Sequence, residues 1–276
     1  MAKELTLAER IAKAAEYIRR RADVKPQVAV VLGSGLGNLS SLTRDAVSIP
    51  FEKIPHFPTS SVLGHAGELV LGKIGRKVVA VMNGRVHYYE GYTMQEVAFP
   101  VRVLRALGAK KLILTCAGGG MNPLYDKGDV VAIVDHINLT GDNPLIGPND
   151  EKLGPRFPDM SEPYDREYLK LVEDIALEER IRLRKGVFIG VAGPNLETAA
   201  EYRFLRAIGG DVVSMSMIAE NIVAIHGGMR VVGLAVVTDL CLPDALKPAS
   251  HKEIIKVAQA TEPHLTKLVA RLIEKM

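Results

Sequence analysis

The sequence predicts an α/β fold in which helices cover a largely buried β-sheet. Two observations carry this prediction. Near-continuous apolar runs, typical of strands that are buried on both faces, recur along the 276 residues. Segments with apolar residues at helical spacing lie between these runs, and this alternation is typical of layered α/β domains. Because no repeat, low-complexity tract or charged linker divides the chain, we expect one domain over residues 1–276.

The elements follow in chain order from these two patterns. The apolar runs predict strands at QVAVVLG (27–33), ELVLGKI (68–74), KVVAVMN (77–83), KLILTCA (111–117), DVVAIVD (129–135), GVFIGVA (186–192), DVVSMS (211–216) and RVVGLAVVT (230–238). Helical spacing predicts helices at about 6–21, 93–107, 165–180, 197–208, 216–227 and 250–275. The polar, Pro/Gly-rich segment from about 136 to 165 predicts a long loop, and such loops are commonly functional.

Composition excludes several classes of partner. The net charge of +3 is mild, and Lys and Arg are scattered apart from a short cluster at 19–21, so no nucleic-acid partner is expected. Cys116 and Cys241 are far apart and lack paired spacing, which argues against a disulfide framework and a metal site. No apolar run approaches the ~20 residues that span a bilayer, and the N-terminal segment is typical of an amphipathic helix. We therefore expect no membrane partner and a cytoplasmic location.

The first glycine-rich segment, LGSGLGN at 32–38, follows a predicted strand. A dinucleotide fingerprint would place its third glycine where Asn38 stands, and a P-loop would contain a lysine that is missing here. A nucleophile elbow would have glycine in place of Leu32. What remains is a strand end that offers backbone N–H groups and the Ser34 hydroxyl to a small anion, although a plain tight turn would look the same.

Four further segments indicate that the anion is phosphate. Arg85 and His87 in NGRVHYYEGY lie two residues apart, so an extended segment presents both on one face. Ser216 in SMSMIAE stands at a predicted helix start, where a hydroxyl and unpaired N–H groups favour an anion. The glycines of CAGGG at 116–120 allow a ligand to approach the backbone closely, and His65 lies between glycines in GHAG.

Seven motifs in order then carry a resemblance to a known family. LGSGLG, GHAG, GRVHYYEGY, DHINLTGDNPLIGPND, RFPDMS, VAGPNLET and the Met215–Ser216 pair, spread over roughly residues 25 to 255, resemble those of the trimeric purine nucleoside phosphorylases. The resemblance implies a mixed, partly barrel-like β-sheet flanked by helices. It also implies a purine-salvage reaction in which a purine (2′-deoxy)ribonucleoside and phosphate give free base and pentose 1-phosphate. Inorganic phosphate would be a co-substrate, no cofactor would be needed, and the protein would be a homo-oligomer, expected to be a trimer.

The resemblance also implies roles for individual residues. The phosphate would be held by Ser34, His65, Arg85, His87, Ser216 and the backbone at Ala117. The ribose would contact Tyr89, Met215 and His251, together with Phe157 from the neighbouring subunit. Four of these residues also have a simpler structural interpretation. Arg85 could form a surface salt bridge, and Met215 could be an ordinary core residue. His251 could face water at the start of a helix, and Phe157 could anchor a long loop. Glu90 would orient His87, and the resemblance implies that His87, Glu197 and Asp239 are the catalytic residues.

Two residues of the implied base pocket favour different purines. The resemblance implies that this pocket comprises Glu197, Asp239, Cys116, Ala117 and Gly118. Glu197 matches the carboxylate that accepts N1–H of a 6-oxopurine, and an ionised carboxylate would repel N1 of adenine. Asp239 replaces the usual asparagine, and an ionised aspartate suits the N6 amino group of adenine but not O6. The related methylthioadenosine phosphorylases carry aspartate at that position.

A protonated Asp239 would reconcile the two, because it could donate to O6 or pass a proton to N7 as the base departs. We therefore expect inosine and guanosine to be preferred substrates. The alternatives are a phosphorylase for adenosine or methylthioadenosine and a non-catalytic protein that binds purine or phosphate. A nucleosidase that uses water is a further reading, disfavoured because it would not need the anion-binding residues.

Overall fold

The computed structural model of the protein describes residues 5–33, 37–61 and 66–276. Within these ranges the strands are β1 (Val28–Val31), β2 (Arg44–Pro50), β3 (Glu68–Ile74), β4 (Lys77–Asn83), β5 (Lys111–Gly120), β6 (Val130–Leu139), β7 (Leu183–Val191), β8 (Val212–Ser214) and β9 (Arg230–Leu240). The α-helices are α1 (Leu7–Arg19), α2 (Met94–Leu107), α3 (Arg166–Glu178), α4 (Ala199–Ala207), α5 (Ile218–His226) and α6 (His251–Lys275).

The strands form one mixed sheet in the order β2-β3-β4-β1-β5-β8-β7-β6-β9. Strand β9 also pairs with β5, in parallel, so that β5, β8, β7, β6 and β9 close into a ring. The remaining strands extend from β5 as an open wing, in which β1 runs parallel to both of its neighbours, β4 and β5. The predicted mixed, partly barrel-like sheet flanked by helices is confirmed.

Apolar side chains and helix caps explain why these segments form regular structure. All four residues of β1 are buried, as is the run from 231 to 238 in β9, which matches the continuous apolar pattern of both segments. Helices α1, α2 and α4 begin after Thr6, Thr93 and Thr198, each of which forms a capping box with the glutamate three residues later. The helices therefore begin close to where the sequence predicts.

Two details of the prediction were wrong. Strand β2 was missed, because its segment RDAVSIP is mostly exposed and lacks an apolar run, and antiparallel pairing with β3 forms it. The long loop was predicted to start near 136, whereas β6 continues to Leu139 through pairing with β7. The prediction ended the strand too early because the polar residues His136 and Asn138 interrupt the apolar run. Pairing with β7 keeps these residues in the strand despite their weak β-propensity.

Gly33 marks the place where the ends of β1 and β5 come closest. A Cβ at this position would lie 2.7 Å from Cα of Cys116 and 2.9 Å from the carbonyl oxygen of Thr115, so only glycine fits. The Gly33 N–H donates to Oγ1 of Thr115 at 3.1 Å, which holds the two strand ends together. These strand ends form one wall of the cavity described below.

No helix in the described part of the chain is both long and apolar enough to cross a membrane.

We expect Gly33→Ala to lower the free energy of unfolding by about 1–3 kcal/mol, because backbone atoms must shift to admit the new methyl group. Chemical denaturation of the variant beside the wild-type protein measures this change. Gly227→Ala is the matched control, since its Cβ would lie 3.4 Å from the nearest atom, and a change of at most about 0.5 kcal/mol is expected. Equal stability of the two variants would contradict the close approach of β1 and β5.

Candidate active site

A cavity of about 470 Å³ lies where several strands end. It is lined by Gly33, Arg85, His87, Tyr89, Cys116, Ala117, Gly118, Gly119, Pro194, Leu196, Glu197, Tyr202, Val213, Ser214, Met215, Ser216, Thr238, Asp239, His251 and Ile254. The structure therefore brings together most of the residues that the sequence singles out, although they come from opposite ends of the chain. The predicted phosphate contacts Ser34 and His65 lie outside the described residues.

Arg85 is buried beside the cavity and held from several sides. Its Nε lies 2.9 Å from Oε1 of Glu220, and both side chains are at most 3% exposed. The guanidinium also donates to the carbonyl oxygen of Thr115 at 2.8 Å. A surface salt bridge, the plainer alternative for Arg85, is therefore wrong. Sequence reasoning missed Glu220, although a lone acidic residue in the apolar helix IAENIVAIH was a usable signal.

His87 is oriented by Glu90 and by a neighbouring ring. Its Nδ1 lies 3.0 Å from Oε1 of Glu90, and its backbone N–H donates to the same oxygen at 2.7 Å. The imidazole stacks on the Tyr89 ring with the centroids 4.8 Å apart. Burial raises the pKa of Tyr89 to about 12, helped by the nearby Glu90, so its hydroxyl stays protonated at neutral pH.

Glu90 links this corner of the cavity to Ser61. Burial alone would raise the pKa of Glu90, but hydrogen bonds from His87 and Ser61 outweigh it and lower the pKa to about 2. The Ser61 N–H donates to Oε2 at 2.7 Å, and its hydroxyl does so at 2.8 Å. Glu90 is thus ionised at neutral pH and joins His87 to the chain just before the GHAG motif.

The central wall consists of the end of β5 and the turn from β8 into α5. The Ser214 hydroxyl donates to the carbonyl oxygen of Ala117 at 2.8 Å, which ties the two strands together. Met217 has φ of +68°, a conformation that is strained in a non-glycine residue and lies directly after Ser216. Burial raises the pKa of Cys116 to about 11, so this thiol is neutral and is a poor nucleophile.

The candidate ribose contacts lie in two places. Tyr89 and Met215 line the cavity, and His251 lies at its rim as the first residue of α6. Gly193 packs against Met215, since a Cβ on Gly193 would lie 2.3 Å from Sδ. Phe157 is 87% exposed and does not line this cavity, so any contact with a ribose would be in another subunit.

Two carboxyl groups lie at the other end of the cavity. Burial raises the pKa of Glu197 and the nearby Asp239 adds to this, whereas a hydrogen bond from Tyr202 opposes it. Asp239 accepts hydrogen bonds on both oxygens: from the Thr238 hydroxyl at 2.9 Å and from the Cys241 thiol at 3.1 Å. Sequence reasoning treated Cys241 as a small pocket or core residue and missed Tyr202 of α4, which lines the cavity and packs in one buried cluster with Cys241.

The cavity thus has chemically distinct ends, one with a fixed guanidinium, an imidazole and serine hydroxyls, the other with two carboxyl groups. The first end suits a small anion and the second suits a ligand with several hydrogen-bonding edges. Within residues 5–33, 37–61 and 66–276, no group of three or more His, Cys, Asp or Glu side chains is arranged to hold a metal ion.

Comparison with known proteins agrees with this geometry. The family model described as the phosphorylase superfamily matches residues 27–274. Purine nucleoside phosphorylase 1 of Geobacillus stearothermophilus is 44% identical over 266 residues, which cover 96% of this chain and 97% of the relative. Crystal structures of Schistosoma mansoni purine nucleoside phosphorylase in complex with adenosine and with inosine are 38% and 37% identical and share a TM-score of 0.94, with 99% of each chain covered.

These matches extend over nearly the whole chain and include the strands and helices that build the cavity. The resemblance that the motifs indicated is confirmed, and the chain belongs to the phosphorylase superfamily, in its family of purine nucleoside phosphorylases.

Proposed function

We propose that this protein catalyses the phosphorolysis of purine (2′-deoxy)ribonucleosides, releasing free base and pentose 1-phosphate. One observation carries the proposal: Arg85, His87 and Ser216 line the same cavity as the carboxyl groups of Glu197 and Asp239. A nucleoside placed between these ends would direct its base toward the carboxyl groups and its C1′ toward a bound phosphate.

The proposed mechanism uses the phosphate as both stabiliser and nucleophile. Arg85, His87, Ser216 and the backbone at Ala117 hold the anion below C1′, together with Ser34 and His65 from outside the described residues. As the C1′–N9 bond breaks, its electron pair leaves with the base and positive charge develops on the sugar, where the phosphate stabilises it. A phosphate oxygen then bonds to C1′, and the departing base takes up a proton at N7, which a protonated Asp239 would supply.

Proposed base recognition depends on which carboxyl group carries a proton. An ionised Glu197 accepts N1–H of hypoxanthine or guanine, and a protonated Asp239 donates to O6. Burial raises the pKa of Glu197 and the nearby Asp239 adds to this, so the pocket opposes the ionised form of Glu197. We propose that 6-oxopurine nucleosides are nevertheless preferred, because their N1–H is a donor that can compensate the charge of Glu197. Adenosine is the alternative substrate that Asp239 favours.

The proposed reaction needs a co-substrate and a second subunit, and it would take place in the cytoplasm. Phosphate is the co-substrate, and no cofactor is needed because the bond breaks without redox or group-carrier chemistry. The exposed Phe157 would complete the site of a neighbouring subunit in a homotrimer. The two cysteines are free and buried, which is typical of proteins in a reducing cytoplasm.

Release of base from inosine, guanosine and adenosine, each with and without phosphate, tests the proposed reaction. We expect cleavage only with phosphate, faster for inosine and guanosine than for adenosine, because Glu197 accepts N1–H. The measurement is chromatographic separation of base and nucleoside. Cleavage without phosphate would indicate a nucleosidase, and binding without any cleavage would indicate a non-catalytic protein; either would contradict the proposal.

Arg85→Lys tests the anion end without leaving Glu220 opposite a neutral group. We expect the KM for phosphate to rise about tenfold or more, because lysine cannot reproduce the planar fork of the guanidinium. The KM for inosine should change far less. Arg184→Lys is the matched control, since Arg184 pairs with Asp129 at 3.0 Å outside the cavity. An unchanged KM for phosphate in Arg85→Lys would contradict the anion site.

Phe157→Ala tests the contribution of a neighbouring subunit. We expect a trimer in solution and a large loss of activity, because the ribose loses its cover. Mixing this variant with Glu197→Ala, which keeps Phe157 but lacks its own base contact, should restore activity once subunits exchange. Light scattering and activity of the mixture measure both effects. An active monomer, or full activity of Phe157→Ala alone, would contradict the shared site.

A further inference from the structure

His226 is the last residue of α5 and is buried outside the main cavity. It is only 4% exposed and does not line that cavity. Its Nδ1 lies 3.3 Å from Nη1 of Arg102 in α2, and its Nε2 lies 3.3 Å from Oδ1 of Asn149. Asn149 belongs to the long loop after β6 that also carries Phe157. One imidazole therefore joins two helices to this loop.

The partners of His226 decide which ring nitrogen carries the proton. Arg102 can only donate, so Nδ1 must accept and the proton of a neutral ring is on Nε2. Burial lowers the pKa of His226 and the charge of Arg102 adds to this, so the ring is neutral at neutral pH. The Asn149 amide agrees with this arrangement, because its Nδ2 donates to Oε1 of Glu151 at 2.7 Å and to the carbonyl oxygen of Gly154 at 3.1 Å. Its Oδ1 therefore accepts from the Nε2–H of His226.

The loop also packs closely against His226. A Cβ on Gly154 would lie 2.1 Å from the carbonyl oxygen of His226 and 2.7 Å from Nδ1 of its ring, so the loop backbone passes directly over the end of α5. Two residues later, Arg156 donates to the carbonyl oxygen of Gly147 at 2.9 Å, which holds the two limbs of the loop together. Phe157 follows at once and is 87% exposed. Because so exposed a ring receives little support from packing, the anchored backbone before it sets its position.

We propose that His226 is a positioning residue for the reaction: by donating from Nε2 to Asn149, it holds the loop in the form that presents Phe157 to the ribose of a neighbouring subunit. The inference rests on the proposed function, in which Phe157 completes that neighbouring site. It extends the function to a residue that lines no part of the cavity. Loss of the bond between His226 and Asn149 should weaken nucleoside binding in the neighbouring subunit and leave phosphate binding unchanged.

A purely structural role of His226 would give a different result. Helix α5 begins just after Ser216 and carries Glu220, the buried partner of Arg85. General damage to this helix would therefore disturb the anion end of the cavity, and the KM for phosphate would rise together with the KM for inosine. A change confined to the KM for inosine distinguishes the positioning of the loop from such damage.

Two substitutions of His226 separate its two contacts. In His226→Asn the amide lies near the place of Nδ1, so it can accept from Arg102 but is too short to reach Asn149. In His226→Gln the amide lies near the place of Nε2 and can still donate to Asn149. Both variants lose the ring, so chemical denaturation should show similar losses of stability. We expect the KM for inosine to rise about tenfold in His226→Asn and to stay within about twofold in His226→Gln, with the KM for phosphate within about twofold in both.

Substitution of the acceptor tests the same bond from the side of the loop. Asn149→Ala should raise the KM for inosine to a similar extent, and its combination with His226→Asn should add little, because both changes remove one interaction. Asn122→Ala is the matched control, since the Asn122 side chain donates to Oδ1 of Asp211 at 2.7 Å outside the cavity. The KM for inosine of this control should not change.

Mixed oligomers show in which subunit His226 acts. A His226→Asn subunit keeps its base pocket but lends a poorly held loop, whereas a Glu197→Ala subunit lends an intact loop and lacks its own base contact. After subunit exchange with Glu197→Ala in excess, the sites of His226→Asn subunits receive Phe157 from an intact loop, so their KM for inosine should return toward the wild-type value. A KM that stays raised would show that His226 acts within its own subunit and would overturn the inference.

Hydrogen exchange of the loop is a readout that needs no turnover. The amides of residues 150–157 should exchange faster in His226→Asn than in His226→Gln or Asn122→Ala, as measured by mass spectrometry. Equal exchange in the three variants, or an unchanged KM for inosine in His226→Asn, would overturn the inference. Faster exchange in a protein that never cleaves inosine would refute the proposed reaction while supporting the contact between His226 and the loop, so the two failures are distinguishable.

Discussion

The buried ion pair between Arg85 and Glu220 is the constraint on which the site depends. A buried charge is stable only when a partner and further hydrogen bonds replace its hydration. Glu220 and the carbonyl oxygen of Thr115 supply these to Arg85, so β5, α5 and the segment after β4 must meet at one point. Removing either charge would leave the other buried without compensation. The pair therefore fixes the position of the guanidinium before any ligand arrives, and a fixed cation loses little entropy when an anion binds.

Closure of the sheet supplies the second part of the site. Because β9 pairs with both β6 and β5, its end lies beside the end of β5, and Asp239 is placed opposite Gly119 in the ladder. The register shifts between Gly118 and Gly119, which turns the end of β5 where these glycines line the cavity. The antiparallel pairing of β8 with β5 then brings Ser214 and the turn into α5 to the same wall. Residues more than a hundred positions apart thus meet because strands of both directions end at one place.

The sequence alone predicted those parts of the molecule that depend on local pattern. The strands ELVLGKI and KVVAVMN have the predicted bounds, since continuous apolar runs bounded by charged or polar residues leave little freedom. Most candidate site residues could be predicted because they lie in motifs that keep their spacing, whereas β2 depends on pairing with β3 and was missed. Glu220 and Tyr202 were missed for the same reason: each is an ordinary helix residue until another element packs against it. Contacts across the fold, rather than propensity, decided these cases.

The carboxyl group of Asp239 changes the environment of the side chains around it in the cavity. An asparagine at position 239 could both donate and accept hydrogen bonds without any change of protonation. A cysteine near it would then need no role beyond packing. With Asp239 in place, Glu197 lies near a second acid, which adds to the effect of burial in raising the pKa of Glu197. Asp239 accepts hydrogen bonds from the Thr238 hydroxyl and the Cys241 thiol, whereas burial raises the pKa of Glu197. The two acids are therefore unequal neighbours in one cavity, because donors compensate the charge of one and burial opposes the charge of the other.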